Sequence, residues 1–258
     1  VSEPVLLVDE PAKGVRRLRL NRPQARNALS MELRRALVEA ITQASHDAQV
    51  RVVILAGNEQ AFAAGADIKD MANASTVDMM GRGVLELWRA TASCTKPVVA
   101  AVRGYALGGG CELALLSDLI IASDTARFGQ PEIRIGIIPG GGGTQRLVAA
   151  IGKHRAMKYL LTGTTFTGRE AFEMGLASEA VPDDQVEVRA LAIASEIAAL
   201  SPLAVQQLKD VVLRGMDLPL DAGQALETKA LHLLFSTADQ KEGMAAFIEK
   251  RAPRFTGQ

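Results

Sequence analysis

Residues 96–123 read KPVVAAVRGYALGGGCELALLSDLIIAS, and the order of elements in this stretch sets the fold class. Pro97 opens a run, Val98-Val99-Ala100-Ala101-Val102, that is apolar at every position. Such a run predicts a strand buried on both faces. Gly108-Gly109-Gly110 marks a turn, a short helix runs through Leu116, and residues 118–122 form one more buried strand. Glu112, Ser117, Asp118 and the glycines interrupt residues 106–122, so the run is core and not a membrane span.

Toward the N-terminus, Val5-Leu6-Leu7-Val8 and Arg17-Leu18-Arg19-Leu20 read as short strands, followed by a break at Asn21-Arg22-Pro23-Gln24. Ser30 is placed to cap a helix, with Glu32 in its first turn and Leu33, Leu37, Ala40, Ile41 and Ala44 on one face. Residues 50–55 predict another buried strand, 57–65 a loop and 77–91 a second helix. Buried strands alternating with helices define an α/β architecture covered on both sides. From Val186 onward the pattern is almost entirely helical. Ser201-Pro202 reads as an N-cap with proline at the first helical position, and Pro219 and residues 236–239 separate further helices. The expected division is an α/β core over 1–198 and a helical segment over 199–258, packed on its own core or on a neighbouring subunit.

The chain has 258 residues, 48% of them hydrophobic, with 29 basic against 29 acidic side chains. This balance argues against a general nucleic-acid or membrane-surface binder. The N-terminus shows no basic region followed by an apolar stretch, so a cytosolic protein is the expectation, and the low share of Lys among the basic residues points to a bacterial source. Cys94 and Cys111, and His46, His154 and His232, have no ligand spacing, so no metal is expected. Gly136 to Gly143 lacks the Gly-Lys-Ser/Thr ending of a P-loop, residues 108–113 do not complete GxGxxG, and no GxSxG is present. Cys111 reads as a small buried hydrophobe.

Three segments remain: 61–69 (AFAAGADIK), 104–113 (GYALGGGCEL), and 128–132 (FGQPE) running on to 138–144 (IPGGGGT). The first two are tight small-residue loops leading into helices. Such loops allow close backbone approach and leave N–H groups free at the helix start. Two facing N–H donors make an oxyanion hole; the plainer alternative is two ordinary turns with Asp67 as an N-cap. Glu112 stands in an apolar helix start and Glu132 follows Pro131. The plainer roles are complementing a helix dipole or, for Glu132, pairing with Arg134. A carboxylate in such apolar sequence is costly unless it is paired or used. Two of them at one cavity would leave one protonated and one ionised near neutral pH, which suits adding the elements of water.

These three segments, in order and spacing, resemble the signature blocks of the crotonase (enoyl-CoA hydratase/isomerase) superfamily. The similarity runs from Asn21-Arg22-Pro23 to Lys250-Arg251. It implies a crotonase-like spiral core of buried strands and helices, with a C-terminal all-helical oligomerisation segment forming trimers or paired trimers. It implies an acyl-CoA thioester as substrate and no separate cofactor. Carried over, the oxyanion hole falls on the N–H groups of Ala66 and Gly109, the two hydratase acids on Glu112 and Glu132, and a water-holding glycine on Gly140. Ala64, Ala66, Asp67, Ile68, Lys69 and Gly109 match the stretch that contacts CoA. Gln24, Ala25, Arg26, Asn27 and Ala28 match its adenine-side wall. The implied reaction is syn hydration of a trans-2-enoyl-CoA. Two departures stand out, Gly141 where many relatives carry Ala and Arg26 where many carry an aliphatic residue. The alternatives within the family are a Δ3-Δ2 enoyl-CoA isomerase, in which one acid suffices, and a 2,3-dehydroadipyl-CoA hydratase. The latter needs a polar acyl-pocket end, and Arg82 and Arg89 fall in the wall between Met71 and Trp88. An RNA-binding relative of this fold would need a basic surface helix, for which Arg34-Arg35 and Arg16-Arg17 are the short pairs available.

Overall fold

The computed structural model describes residues 3–83 and 85–258. Val1, Ser2 and Val84 lie outside them, and with them the first two residues of the N-terminal reading and one position of the helix expected over 77–91.

The strands are β1 (Leu6–Ala12), β2 (Val15–Leu20), β3 (Val52–Ala56), β4 (Ala61–Ala63), β5 (Val98–Val102), β6 (Tyr105–Leu107), β7 (Leu119–Ser123), β8 (Arg127–Gly129), β9 (Phe166–Thr167) and β10 (Glu179–Val181). The helices are α1 (Met31–His46), α2 (Ile68–Met71), α3 (Thr76–Gly81), α4 (Glu86–Ala92), α5 (Gly109–Leu115), α6 (Gly143–Ile151), α7 (Lys153–Thr162), α8 (Gly168–Glu173), α9 (Val186–Ala198), α10 (Pro202–Gly215), α11 (Leu220–Leu234) and α12 (Ala238–Glu249).

A six-stranded sheet runs β1-β2-β3-β5-β7-β10, parallel except for the β1–β2 hairpin. The apolar runs read from sequence are its central strands, and the two-residue period explains why they carry no polar position. Val53, Leu55, Val98, Ala100 and Val102 face one hydrophobic cluster, which includes Leu33, Leu37 and Ile41 of α1. Val52, Ile54, Ala56, Val99 and Ala101 face the other, against Ala190, Ala194 and Ala198 of α9. Both faces are covered, so every position must be apolar.

The second sheet, β4-β6-β8-β9, is not legible in the sequence; residues 57–65, expected to be loop throughout, contain β4. Its first three strands have three residues each, too short to show a period. The chain takes the same step three times, from β3 to β4, from β5 to β6 and from β7 to β8. Each long strand of the large sheet is followed by a short strand of the small one. The corner at Gly104 has φ +59, and a Cβ there would lie 2.1 Å from the Gln60 carbonyl oxygen. Because β4, β6 and β8 are parallel neighbours, the chain leaves all three on the same side. There it forms the turn into α2, the start of α5, and the 3-10 turn Pro131–Ile135.

Three other expectations change. The helix over 77–91 is two helices, α3 and α4, because Gly83 takes φ +62 between them. Residues 143–173, to which the sequence pattern assigns no element, hold α6, α7 and α8. Ser201 precedes α10 but does not cap it; its hydroxyl donates to the Asp239 carboxylate at 2.9 Å. The chain turns by 109° between α9 and α10. Lys209 on α10 then ties back to the core through the Asp118 carboxylate at 2.7 Å and the Lys96 carbonyl at 2.8 Å. Among the described residues no single helix is long and apolar enough to cross a membrane.

A Cβ on Gly110 would lie 1.9 Å from the Ala63 carbonyl oxygen, a backbone atom that cannot rotate away. Gly110→Ala is therefore expected to cost about 3 kcal/mol of stability, measured as a lower urea midpoint at unchanged slope.

Candidate active site

The ends of β4, β6 and β8 converge on a cavity of about 620 Å³. Its wall includes Leu29, Ala66, Asp67, Trp88, Gly109, Glu112, Glu132 and Gly140. The structure thus brings together the two acids, both expected hole residues and Gly140.

The two turns face each other closely. A Cβ on Gly65 would lie 3.0 Å from the Leu107 carbonyl oxygen and 3.8 Å from Gly109 N, and Gly65 has φ +105. Gly109 is the first residue of α5, where an N–H has no acceptor within the helix. Gly108 before it has φ +50, and a Cβ there would meet Glu132 Oε1 at 2.6 Å. Only a glycine at this corner lets the Glu132 carboxyl approach the start of α5.

Glu112 is 3% exposed, on the first turn of α5. Its Oε1 accepts from Gly141 N at 2.6 Å and Gly143 N at 2.8 Å, so the glycine-rich turn before α6 holds one oxygen of the carboxylate rigidly. Glu132 takes no donor from that turn. Its Oε2 is buried without a partner, and burial, opposed by a hydrogen bond from its own backbone N–H and reinforced by the charge of Glu112, pushes its carboxyl up to about 7. The plainer reading of Glu132 as the partner of Arg134 fails, because Arg134 donates to the Thr162 carbonyl instead. The two acids differ as neutral-pH acid–base work requires: one is fixed by two N–H groups, the other is poised to hold a proton. Cys111 is fully buried and its thiol is pushed up to about 12 by that burial, which leaves it inert.

The segments matched to the CoA stretch lie side by side. Ala64 N donates to the Arg26 carbonyl at 3.0 Å and Leu29 N to the Gly65 carbonyl at 2.8 Å. Asp67 starts α2 without capping it; its carboxylate pairs with Arg22 at 3.1 Å. Arg22 also donates to the Ala28 carbonyl at 2.6 Å. Asn27, fully buried in a left-handed conformation, donates to the Ala61 carbonyl at 2.8 Å. Gln24, Ala25, Arg26, Ala28, Ala64, Ile68 and Lys69 belong to these segments and are not part of the cavity wall. Arg26 lies over the Tyr105 ring, 5.5 Å from its centroid.

The sequence reading missed Arg22, Trp88 and Arg34 as site residues, and it placed Asn27 in the rim loop without its tie to Ala61. Arg34, expected as half of a surface pair, is 7% exposed and lines the cavity, with its guanidinium 5.2 Å above the Trp88 ring. Arg16 and Arg17 are taken up by Glu10, Asp47, Asp9 and Glu187. Neither pair forms a basic helix surface. Of the two arginines expected near the acyl wall, Arg82 lines the cavity and Arg89 does not. Among the described residues no cluster of His, Cys, Asp and Glu is arranged to hold a metal ion.

Residues 10–258 match the enoyl-CoA hydratase/isomerase family model. A probable enoyl-CoA hydratase of Mycobacterium bovis is 45% identical over 254 residues, 98% of each chain. A 2,3-dehydroadipyl-CoA hydratase of Escherichia coli is 44% identical over 93% of this chain and 94% of its own. The crystal structure of an enoyl-CoA hydratase from Bacillus anthracis superposes with a TM-score of 0.95 at 38% identity, covering 98% of this chain and 100% of that one.

The raised Glu132 carboxyl carries a stability signature. Its folded value, about 7, lies above the ordinary value of 4.5, so the proton-bound form favours folding. That contribution is fully present below about pH 4.5 and is lost as pH rises through about 7. Glu132→Gln, which never ionises, is expected to melt a few degrees above the parent at pH 8.5 and with no such gain at pH 5, read by thermal denaturation.

Proposed function

The chain belongs to the enoyl-CoA hydratase/isomerase family, and on that basis we propose how its cavity performs the reaction. The protein is an enzyme, a hydro-lyase that adds water to a trans-2-enoyl-CoA to give a 3-hydroxyacyl-CoA. The observation that carries the mechanism is the pair of unlike acids beside two facing backbone turns.

The thioester carbonyl oxygen accepts from Ala66 N–H and Gly109 N–H. The developing enolate charge is met there by donors that need no reorganisation, and loss of one such donor typically costs about 10²–10³ in rate. Glu112, held by Gly141 and Gly143, keeps Oε2 free to take a proton from water, whose oxygen attacks C3. Gly140, which lines the same cavity beside this turn, positions the water. Glu132, protonated near neutrality, delivers its proton to C2. Attack and protonation from one cavity add both elements of water to the same face. The Gln24–Ala28 loop and the 64–69 turn form the CoA rim, with Arg22–Asp67 and Asn27 holding them in register. Binding the nucleotide portion orients the acyl group for reaction. The scheme routes no step through a metal or a cofactor, and coenzyme A enters as part of the substrate.

We also propose that the chain works as a trimer or a pair of trimers. Support comes from the apolar residues that α10, α11 and α12 leave exposed, among them Leu208, Met216, Leu233, Phe247 and Ile248, with Phe247 85% exposed. Light scattering is expected to give three or six times the chain mass, and Phe247→Asp to lower it.

With crotonyl-CoA, the parent is expected to bleach the conjugated-thioester absorbance. Glu112→Gln and Glu132→Gln are each expected to lose about 10²–10⁴ in kcat while staying folded. A loss confined to one variant would replace hydration with a one-acid proton shuttle.

A further inference from the structure

We propose that Arg22 is a positioning residue for the oxyanion hole, acting on the Ala66 N–H through two peptide units in series. The proposal rests on the hydratase reading above, in which that N–H meets the thioester oxygen.

A peptide unit joins the carbonyl of one residue to the N–H of the next in one rigid plane. The Ala66 N–H therefore shares its plane with the Gly65 carbonyl. That carbonyl accepts from Leu29 N at 2.8 Å, and Leu29 and Ala66 pair as an isolated parallel bridge. The Leu29 N–H shares its own plane with the Ala28 carbonyl. The Ala28 carbonyl accepts from Arg22 Nη1 at 2.6 Å and from Ser30 N at 2.9 Å. The path from the guanidinium to the Ala66 N–H thus consists of two hydrogen bonds and two peptide planes.

Both ends of the path are fixed. The Arg22 main chain closes on Asn27 in both directions: Arg22 N donates to Asn27 Oδ1 at 2.9 Å, and Asn27 N to the Arg22 carbonyl at 2.9 Å. Asn27 is fully buried and tied to β4. The Leu29 carbonyl, on the other side of that residue, accepts from Arg34 Nε at 3.0 Å. Asp67 Oδ2 meets Arg22 Nη1 at 3.2 Å and Nη2 at 3.1 Å. This pair balances the charge of Arg22, so what reaches the hole is polarisation passed along hydrogen bonds and not the field of a bare cation.

The two hole residues differ in what stands behind them. The peptide that carries the Gly109 N–H has the Gly108 carbonyl at its other end, and this accepts from Glu112 N at 2.9 Å inside α5. Gly65 lies before α2, a helix of only four residues, so the Ala66 peptide takes its donor from another part of the chain. A donor on a carbonyl fixes the tilt of its peptide and strengthens the N–H at the far end as a donor. A charged donor at the head of the chain is about twice as strong as a neutral one.

The test uses Arg22→Met, Arg22→Lys and a Leu29 variant in which an ester oxygen replaces the backbone N–H. With crotonyl-CoA, Arg22→Met and the ester are each expected to lose about 10-fold in kcat, less than the roughly 10²–10³ that a whole hole donor costs, with Arg22→Lys between Arg22→Met and the parent. The same loss is expected with crotonyl-pantetheine, which has no nucleotide for the rim to hold. Hexanoyl-CoA, isotope-labelled at its carbonyl and unable to take up water, reads the hole by difference infrared spectroscopy. Its carbonyl stretch is expected to fall on binding the parent, and about 30% of that fall to be lost in Arg22→Met and in the ester. A loss on crotonyl-CoA that vanishes with crotonyl-pantetheine overturns the proposal, because Arg22 then serves the CoA rim alone. So does an ester variant with the parent's kcat and carbonyl stretch, whether or not Arg22→Met folds. A parent that leaves crotonyl-CoA unchanged overturns the hydratase reading instead, and the stretch of bound hexanoyl-CoA still decides between a working path and none.

Discussion

The backbone of α5 lies against the backbone of β4 with no side chain between them, since a methyl on Gly110 would overlap the Ala63 carbonyl. The rest of the site depends on that approach. It brings the turn after β4 up to the first residue of α5, so that Ala66 and Gly109 line one cavity. It also fixes where Glu112 projects, three residues into the same helix. The large sheet makes the approach possible by sending three successive strands into three parallel short strands that open on the same side.

Two carboxyl groups of one chemical type are given different work by their surroundings. Glu112 is buried but supplied with two backbone donors; Glu132 is half-buried, with its Oε2 enclosed and left without a partner. Desolvation that outweighs the available donors raises a carboxyl, and a neighbouring negative charge raises it further. The glycines are the means: Gly108 admits Glu132 to the corner, and Gly141 and Gly143 bring their N–H groups to Glu112. Arg34 adds its guanidinium to the same wall, so the cavity combines a carboxylate held by two N–H groups, a raised carboxyl and a guanidinium within largely apolar walls.

The rim is held by contacts that carry no chemistry themselves. Arg22 ties the 22–28 loop to Asp67, and Asn27 ties it to β4. A partly buried arginine bonded to both a carboxylate and a carbonyl resists displacement more than an exposed pair does. These contacts keep the 22–28 loop and the 64–69 turn at a constant spacing without filling the cavity.

Residues 52–56 and 98–102 determined their own state from sequence, because a strand covered on both faces must be apolar at every position. The α1 helix did so through its cap and its apolar stripe, and Glu112 and Glu132 stood out because a charge in an apolar run is expensive. The family was legible from the spacing of three motifs. The second sheet was not legible, because strands of three residues are too short to show a period and are held by partners distant in sequence. Nor was the fate of Arg34: adjacent to Arg35, it reads as surface, and only the packing of α1 on α4 buries it over Trp88. The pairing of Arg22 with Asp67 likewise came from tertiary structure, as did the choice of Glu132 as the acid that is raised. Composition and period are properties of neighbours along the chain, whereas desolvation and ion pairing depend on which groups meet in space.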